Sequence, residues 1–371
     1  MNADRAPQAM GAALAIGWLV VLVAVDVAIP DGQVVLVSLF SVAPLIACAV
    51  LPTVATGTIA AVSIALAVAS GVWDGTWGQA QQSIRILDVA IVSVAAVVVA
   101  AVRVRREHRH ARVSAIAEVA QRAILPKLPR QTAHLNVAVR YVSAAQDAVV
   151  GGDLYDCFHS DTYTRFLVGD VRGKGIEGVE QAARVIRAFR QSAATEATLP
   201  EVARQMSAYL SGFFDDEEFV TAVLAEESSA STLTLVSCGH PPPLLVNSNE
   251  AASFVELPVG LPLGLGEAYE ADTASLSPGD RLLMYTDGLS EARDRHGAFL
   301  AVLELAPSVM RGTPDQALDG VLDAVRRHVS GGRLADDLAV LLLERVAVEH
   351  RVETLEGGLA TERFASVVPA E

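Results

Sequence analysis

The sequence predicts an α+β domain of antiparallel sheets with helices packed outside, carried behind a block of apolar helices. Three observations predict it. Four apolar stretches precede residue 105; the remainder holds strand-like runs that follow one another without intervening helices; its helical patterns are grouped, two in the middle and one near the end. A doubly wound nucleotide fold would alternate strand with helix, and this chain does not.

The apolar stretches cover about residues 10–29, 33–51, 53–73 and 86–104, each near the ~20 residues that cross a bilayer core. A cleavable signal peptide accounts for the first and leaves three unexplained. Soluble core helices rarely lack a polar face for so long. Asp26 and Asp88 sit near segment ends, within reach of the interface. The fourth stretch runs into Arg103, Arg105, Arg106, Arg109 and Arg112, a basic cluster that marks the cytoplasmic side. With four spans the N-terminus and its Arg5 are cytoplasmic too, and residues 74–85 offer the one external loop. The expectation is a multi-pass plasma-membrane anchor over residues 1–104, with the rest of the chain in the cytoplasm.

A helical connector is expected over 105–130. Val113, Ile116, Ala120 and Ala123 step by three, four and three, the a/d spacing of a short coiled coil. Two readings stand: a homodimer formed through this helix, or a helix packed on its own domain. Pro126 and Pro129 end it. Within the domain at 131–345, strands are expected at 135–142, 163–169, 219–225, 231–237, 243–246, 253–257, 281–286 and 338–343, and helices at 178–194, 200–213 and 314–329. The tail, 346–371, has mixed polarity and no motif, and is expected to be flexible.

Charge is divided between the parts. Residues 1–125 hold 8 Lys+Arg against 7 Asp+Glu, leaving 20 against 36 in the remainder of a chain whose net charge is −15. That acidity excludes the basic footprint a nucleic-acid partner needs. Cys48, Cys157 and Cys238 are scattered, with no disulfide framework, which suits a reducing compartment.

Four short aspartate motifs carry the chemistry: Gly151-Gly152-Asp153-Leu154-Tyr155-Asp156, Gly169-Asp170-Val171-Arg172-Gly173-Lys174-Gly175, Tyr285-Thr286-Asp287-Gly288, and Asp336-Asp337. Each sets a carboxylate at the edge of a strand-like run. Singly, each reads as turn chemistry. Together they supply the oxygen donors that hard divalent cations prefer. The Lys174 loop lacks the spacing and ending of a Walker phosphate loop.

The ordered series GGDLYD, VGDVRGKG, FVTAVL, SCGHPPPLL, GLPLGL, LSPGDRLLMYTDGLSEARD and ADDLAVLLL resembles the SpoIIE-like branch of the metal-dependent (PPM, 2C-type) Ser/Thr protein phosphatases. The likeness runs from about Gln121, where QRAILPKLP looks like the family's entry segment, to about Glu344. It implies a four-layer α-β-β-α sandwich around two Mn²⁺ or Mg²⁺ ions. Asp153 would bind one ion, Asp170 would bridge both, the Val171 carbonyl would add a ligand, and Asp287 and Asp336, rather than Asp337, would hold the other. Metal-bound water is then the nucleophile, with no catalytic side chain. Arg172 and Lys174 are candidates for substrate phosphate, against a reading as solvent-exposed loop charges. His240 invites a general-acid role, against a structural turn histidine.

The resemblance implies a membrane-anchored phosphatase acting on phosphoserine or phosphothreonine of a cytoplasmic regulatory protein, such as an anti-sigma-factor antagonist. It also implies that the helical pair at 178–213 gates the metal site, and the connector is expected to bias that pair. The rival readings are a catalytically silent phosphoprotein-binding module, a diguanylate cyclase and a transporter. Leu154-Tyr155 stands where the cyclase needs Glu-Phe, and short loops count against the transporter.

Overall fold

The computed structural model describes residues 5–28, 36–73, 77–143, 152–173, 175–215, 218–228, 232–329, 331, 334 and 336–347. The chain divides into two compact units, Met1–Ile116 and Ala117–Glu371.

The first unit holds α1 (Arg5–Ala28), a 3-10 turn (Val37–Ser41) leading into α2 (Val42–Val50), α3 (Thr53–Trp73) and most of α4 (Ala80–Ile124). Small residues let the helices approach: Ala15, Ala43, Ala47 and Ala67 pack with Leu19, Leu22 and Phe40. Thr58 and Ser70 turn their hydroxyls back onto the Ala55 and Ala67 carbonyls of their own helix. Val20, Ile91, Val94, Val98 and Val99 face outward. An apolar exterior of this kind suits a bilayer.

Among the described residues, three helices are long and apolar enough to cross a membrane, Pro7–Ala28, Thr53–Val72 and Ala80–Ile124, where four spans were expected. The second apolar stretch forms only the shorter helix Val37–Val50. At 1.5 Å per residue such a helix reaches about 21 Å, short of a ~30 Å hydrocarbon core. Pro52 explains its end. A residue before proline is pushed out of the helical region, and Leu51 is extended at ψ 151°. The carbonyls left open are taken by α4: the Arg103 guanidinium donates to Cys48 O at 3.2 Å and to Leu51 O at 2.6 Å.

The helix expected for the connector is the last part of α4, which continues to Ile124 before Pro126. Its packed face differs from the a/d set. Ala117, Ala120 and Ile124 meet Val179, and Gln121 is buried beside them. Val113 and Ile116 are exposed, as is Ala123. Residues 117–124 therefore pack on their own unit.

The second unit is built on two five-stranded antiparallel sheets. One runs in the order β1 (Leu135–Val142), β10 (Leu338–Arg345), β9 (Arg281–Tyr285), β6 (Leu244–Val246) and β7 (Ala252–Phe254). The other runs β2 (Asp153–His159), β3 (Thr164–Val171), β4 (Val220–Glu227), β5 (Thr232–Cys238) and β8 (Ala271–Ser275). Strand alternation sorts their side chains into three cores. Val137, Phe166, Val168, Leu282, Met284, Ala339 and Leu341 fill the space between the sheets. Leu154, Leu167 and Leu224 turn the other way, under α5 (Ile176–Thr195) and α6 (Leu199–Leu210), meeting Phe189 and Met206. On the far side Leu283, Val340 and Leu342 meet α9 (Pro314–His328) through Leu318 and Val321. α5 and α6 thus pack against one sheet and α9 against the other. The tail from 348 onward lies outside the described residues.

Candidate metal centre

Strand parity builds the site. Phe166 and Val168 point into the space between the sheets, so Asp170, two residues on, points there as well. Leu282 and Met284 do the same for Thr286, and Ala339 and Leu341 for Asp337. Asp153 opens β2 directly opposite Asp170 in the β2–β3 register. The inter-sheet layer is thus apolar along its length and acidic at one end.

Carboxylate oxygens of Asp153, Asp170 and Asp287 lie within 4.8 Å of one another. Like charges directly opposite on a sheet destabilise it, and burial sharpens the cost. Asp153 is 2% exposed. Burial first, then the Asp170 charge, drives its carboxyl well above the ordinary range, against the Thr286 hydrogen bond, which lowers it. Burial, then Asp287, lifts Asp170 to about 7, even though Asp170 and Asp153 hydrogen-bond each other. An arrangement this unfavourable without a counter-ion fits a divalent cation, and an all-oxygen donor set suits Mn²⁺ or Mg²⁺.

Asp336 and Asp337 stand outside the trio yet near enough to raise Asp170. They differ in what holds them. Asp337 is buried and accepts the Tyr141 hydroxyl on one oxygen and Ser143 Oγ, at 3.3 Å, on the other. Asp336 is half-buried and accepts the Asp337 N–H on Oδ1 at 3.0 Å.

Two glycines set the spacing. A Cβ on Gly152 would fall 2.1 Å from Val171 O, so glycine lets the start of β2 lie against that carbonyl. A Cβ on Gly288 would fall 1.9 Å from Asp337 O, so glycine lets the Asp287 turn seat against the Asp336-Asp337 segment. Neither obstacle is a flexible side chain. Gly288→Ala is expected to cost ~1–3 kcal/mol of stability, as overpacking does, and to weaken Mn²⁺ binding; urea denaturation and metal titration measure the two.

Thr286, absent from the expected site residues, ties the centre together. It is fully buried and donates from Oγ1 to Asp153 Oδ2 at 2.6 Å, while Oγ1 accepts the Ala339 N–H at 2.9 Å. Its signal was its place in Tyr285-Thr286-Asp287-Gly288, at inward parity.

His240 is structural. Nε2 lies 2.9 Å from Tyr285 O and Nδ1 3.0 Å from Thr221 Oγ1. A carbonyl only accepts, so Nε2 carries the proton and Nδ1 accepts from Thr221. Burial lowers its pKa to about 4, against the raising effect of the Tyr285 bond, so the ring is neutral at pH 7. Asp156 faces away from the centre and pairs with Arg190 of α5 at 2.7 Å. Arg172 is exposed, its guanidinium 5.5 Å from the centre of the Phe219 ring. Gly151 and Lys174 lie outside the described residues. Burial pushes the Cys157 thiol up to about 12, and Cys238 is pushed up as well, so neither is a nucleophile at neutral pH.

The family model for Stage II sporulation protein E (SpoIIE) matches residues 160–346, half of the chain. The chain belongs to the SpoIIE family. Asp170, Asp287 and Asp336 fall inside that match and Asp153 just before it. A curated relative of this SpoIIE member is the phosphoserine phosphatase RsbU of Bacillus subtilis (strain 168), 23% identical over 239 residues that cover 63% of this chain and 70% of that protein. Among solved structures, the RsbU and RsbW domains of Rv1364c from Mycobacterium tuberculosis match with a TM-score of 0.51 and 26% identity, over 58% of this chain and 60% of that one. This chain therefore spans less than two thirds of that protein. The SiaA-PP2C domain of Pseudomonas aeruginosa shares the fold, with a TM-score of 0.52 and 17% identity over 62% of this chain and 94% of that one. The second unit is a SpoIIE-family domain with the fold of the SiaA-PP2C domain.

Proposed function

We propose that the chain is a membrane-anchored, metal-dependent phosphatase that removes phosphate from phosphoserine or phosphothreonine of a cytoplasmic regulatory protein. The observation that carries this reading is the meeting of Asp153, Asp170 and Asp287 within 4.8 Å at the end of a SpoIIE-family sandwich. Asp153, Asp170, the Val171 carbonyl, Asp287 and Asp336 would hold a pair of divalent ions. Asp336 is favoured over Asp337 because Tyr141 and Ser143 occupy both oxygens of Asp337. Bound ions would lower the pKa of water and neutralise charge developing on phosphorus.

The chain's own residues do the rest. Thr286 orients the Asp153 carboxylate. Buried neutral His240 locks Thr221, opposite Asp170, to the end of β9. Arg172, which follows Asp170 by two residues, would supply positive charge for a phosphate, and the expected role of Lys174 lies outside the described residues. Similarity to RsbU of Bacillus subtilis, a phosphoserine phosphatase, and to a protein that joins RsbU and RsbW domains favours a partner-switching substrate such as an anti-sigma-factor antagonist. A silent binding module is disfavoured by the intact carboxylates.

The membrane part of the proposal rests on three long apolar helices and on Arg103. Its contacts with Cys48 O and Leu51 O set the end of α2 beside the basic end of the α4 span, and that basic cluster supports a cytoplasmic side for this end. Exposed Val113 and Ile116 leave an apolar edge that a second copy would cover, which is the proposed homodimer.

One experiment tests activity and orientation together. Inside-out membrane vesicles bearing the full chain, given Mn²⁺ and a phosphoserine peptide, are expected to release phosphate, and sealed right-side-out vesicles are not. Release by neither preparation overturns the phosphatase; release by right-side-out vesicles alone overturns the orientation.

A further inference from the structure

The carboxyl-terminal end of α4 reaches the acidic centre through one side chain. Gln121 is 1% exposed and donates from Nε2 to the backbone carbonyl of Asp153 at 3.1 Å. The same side chain hydrogen-bonds the Tyr141 hydroxyl, and that hydroxyl donates to Asp337. A long amide is costly to bury, in rotamer entropy and in desolvation. Its neighbours on the packed face of the helix, Ala117, Ala120 and Ile124, are apolar and meet Val179. An apolar residue at 121 would serve for packing alone. What glutamine adds is a donor at the first residue of β2.

We infer that Gln121 is a positioning residue for the metal centre. The inference rests on Asp153 being a metal ligand. Asp153 is then held from both ends: Gln121 fixes its main chain and Thr286 its carboxylate. β2 begins at Asp153, and residues 144–151, before it, lie outside the described residues. Asp153 N-terminal neighbour Gly152 lies against Val171 O, so the Gln121 amide supplies the side-chain anchor on the helix side of this turn. Through Tyr141 the same amide also steadies Asp337, next to Asp336 at the start of β10. Groups that hold a ligand in place typically change metal affinity about 10–100-fold when removed.

The test uses the full chain in detergent micelles and Mn²⁺ alone as the probe, with calorimetric titration as the readout. Gln121→Met keeps the length and loses the donor. It is expected to raise the Mn²⁺ dissociation constant at least about tenfold. The melting temperature in EDTA and the KM for p-nitrophenyl phosphate at saturating Mn²⁺ are expected to stay near wild type. Gln121→Asn, one methylene shorter with the amide retained, is expected to fall between the two. A dissociation constant within about twofold of wild type in the Met variant overturns the positioning role. If the Met variant does not fold, the Asn variant decides by the same measure: weaker Mn²⁺ binding supports the role, wild-type binding overturns it. Wild-type protein and Asp170→Asn that bind Mn²⁺ equally, or not at all, would instead remove the metal centre itself, and the inference with it.

Discussion

Asp170→Asn is expected to lower Mn²⁺-dependent phosphate release by about a thousandfold in kcat/KM, or ~4 kcal/mol at 1.36 kcal/mol per tenfold. The size follows from the position. Asp170 pairs across the sheet with Asp153, shares the 4.8 Å cluster with Asp153 and Asp287, and feels Asp336 and Asp337 as well. Asparagine keeps the shape and one acceptor oxygen but removes the charge, so the loss reports on the cation and not on the fold. The same substitution is expected to raise the melting temperature of the metal-free protein, because it deletes a charge from a crowded buried site. A structural aspartate would show both quantities falling together. Activity down with metal-free stability up is the signature of a residue kept for function, and phosphate assay with calorimetry on one preparation reads both. Equal rates in the two proteins would refute the centre.

Most of the fold was legible, and the misses have physical causes. The eight expected strands all exist, because apolar runs bounded by turns leave few alternatives. β2 escaped notice because Asp153–His159 carries two aspartates and a histidine. Its Asp156 is satisfied by Arg190 of α5, a partner 34 residues away. β8 is a polar, largely exposed edge strand held by β5 alone, and nothing local announces it. The membrane count among the described residues differed at the N-terminal side of the second stretch, where residues 33–35 lie outside the described residues and Val37–Ser41 winds as a 3-10 turn. The meeting of Asp153, Asp170 and Asp287 was legible from their motifs. Thr286, Tyr141 and Gln121 were not, since each acts through a contact set only by the meeting of two sheets and a helix. Of the two readings of the helix end, packing on its own unit is the one seen at residues 117–124, through the face that buries Gln121 along with Ala117.

Metal-free protein is expected to lose stability as pH rises from about 4 to about 7, and Mn²⁺-saturated protein to gain it over the upper part of that range. The sign comes from proton counting. In the unfolded chain an aspartate titrates near 3.9; in the fold Asp170 holds its proton to about 7. Below pH 4 both states are protonated and the site contributes nothing. Between the two values the folded state binds more protons than the unfolded one, so stability falls with pH. A shift of this size amounts to at most about 4 kcal/mol at 1.36 kcal/mol per unit, and Asp153, raised by burial and by Asp170, moves in the same direction. A bound cation reverses the slope. It competes with those protons, so its affinity climbs as they leave, and it stabilises the folded state in proportion to the logarithm of concentration over dissociation constant. Calorimetric melts at pH 5.5, 6.5 and 7.5, in EDTA and in Mn²⁺, should therefore diverge with rising pH, and Asp170→Asn should flatten both series. Parallel curves would mean that the carboxylates meet for reasons unrelated to a metal. Diverging curves would mean that the acidic end of the inter-sheet layer is a cation site, with Asp153 oriented by Thr286.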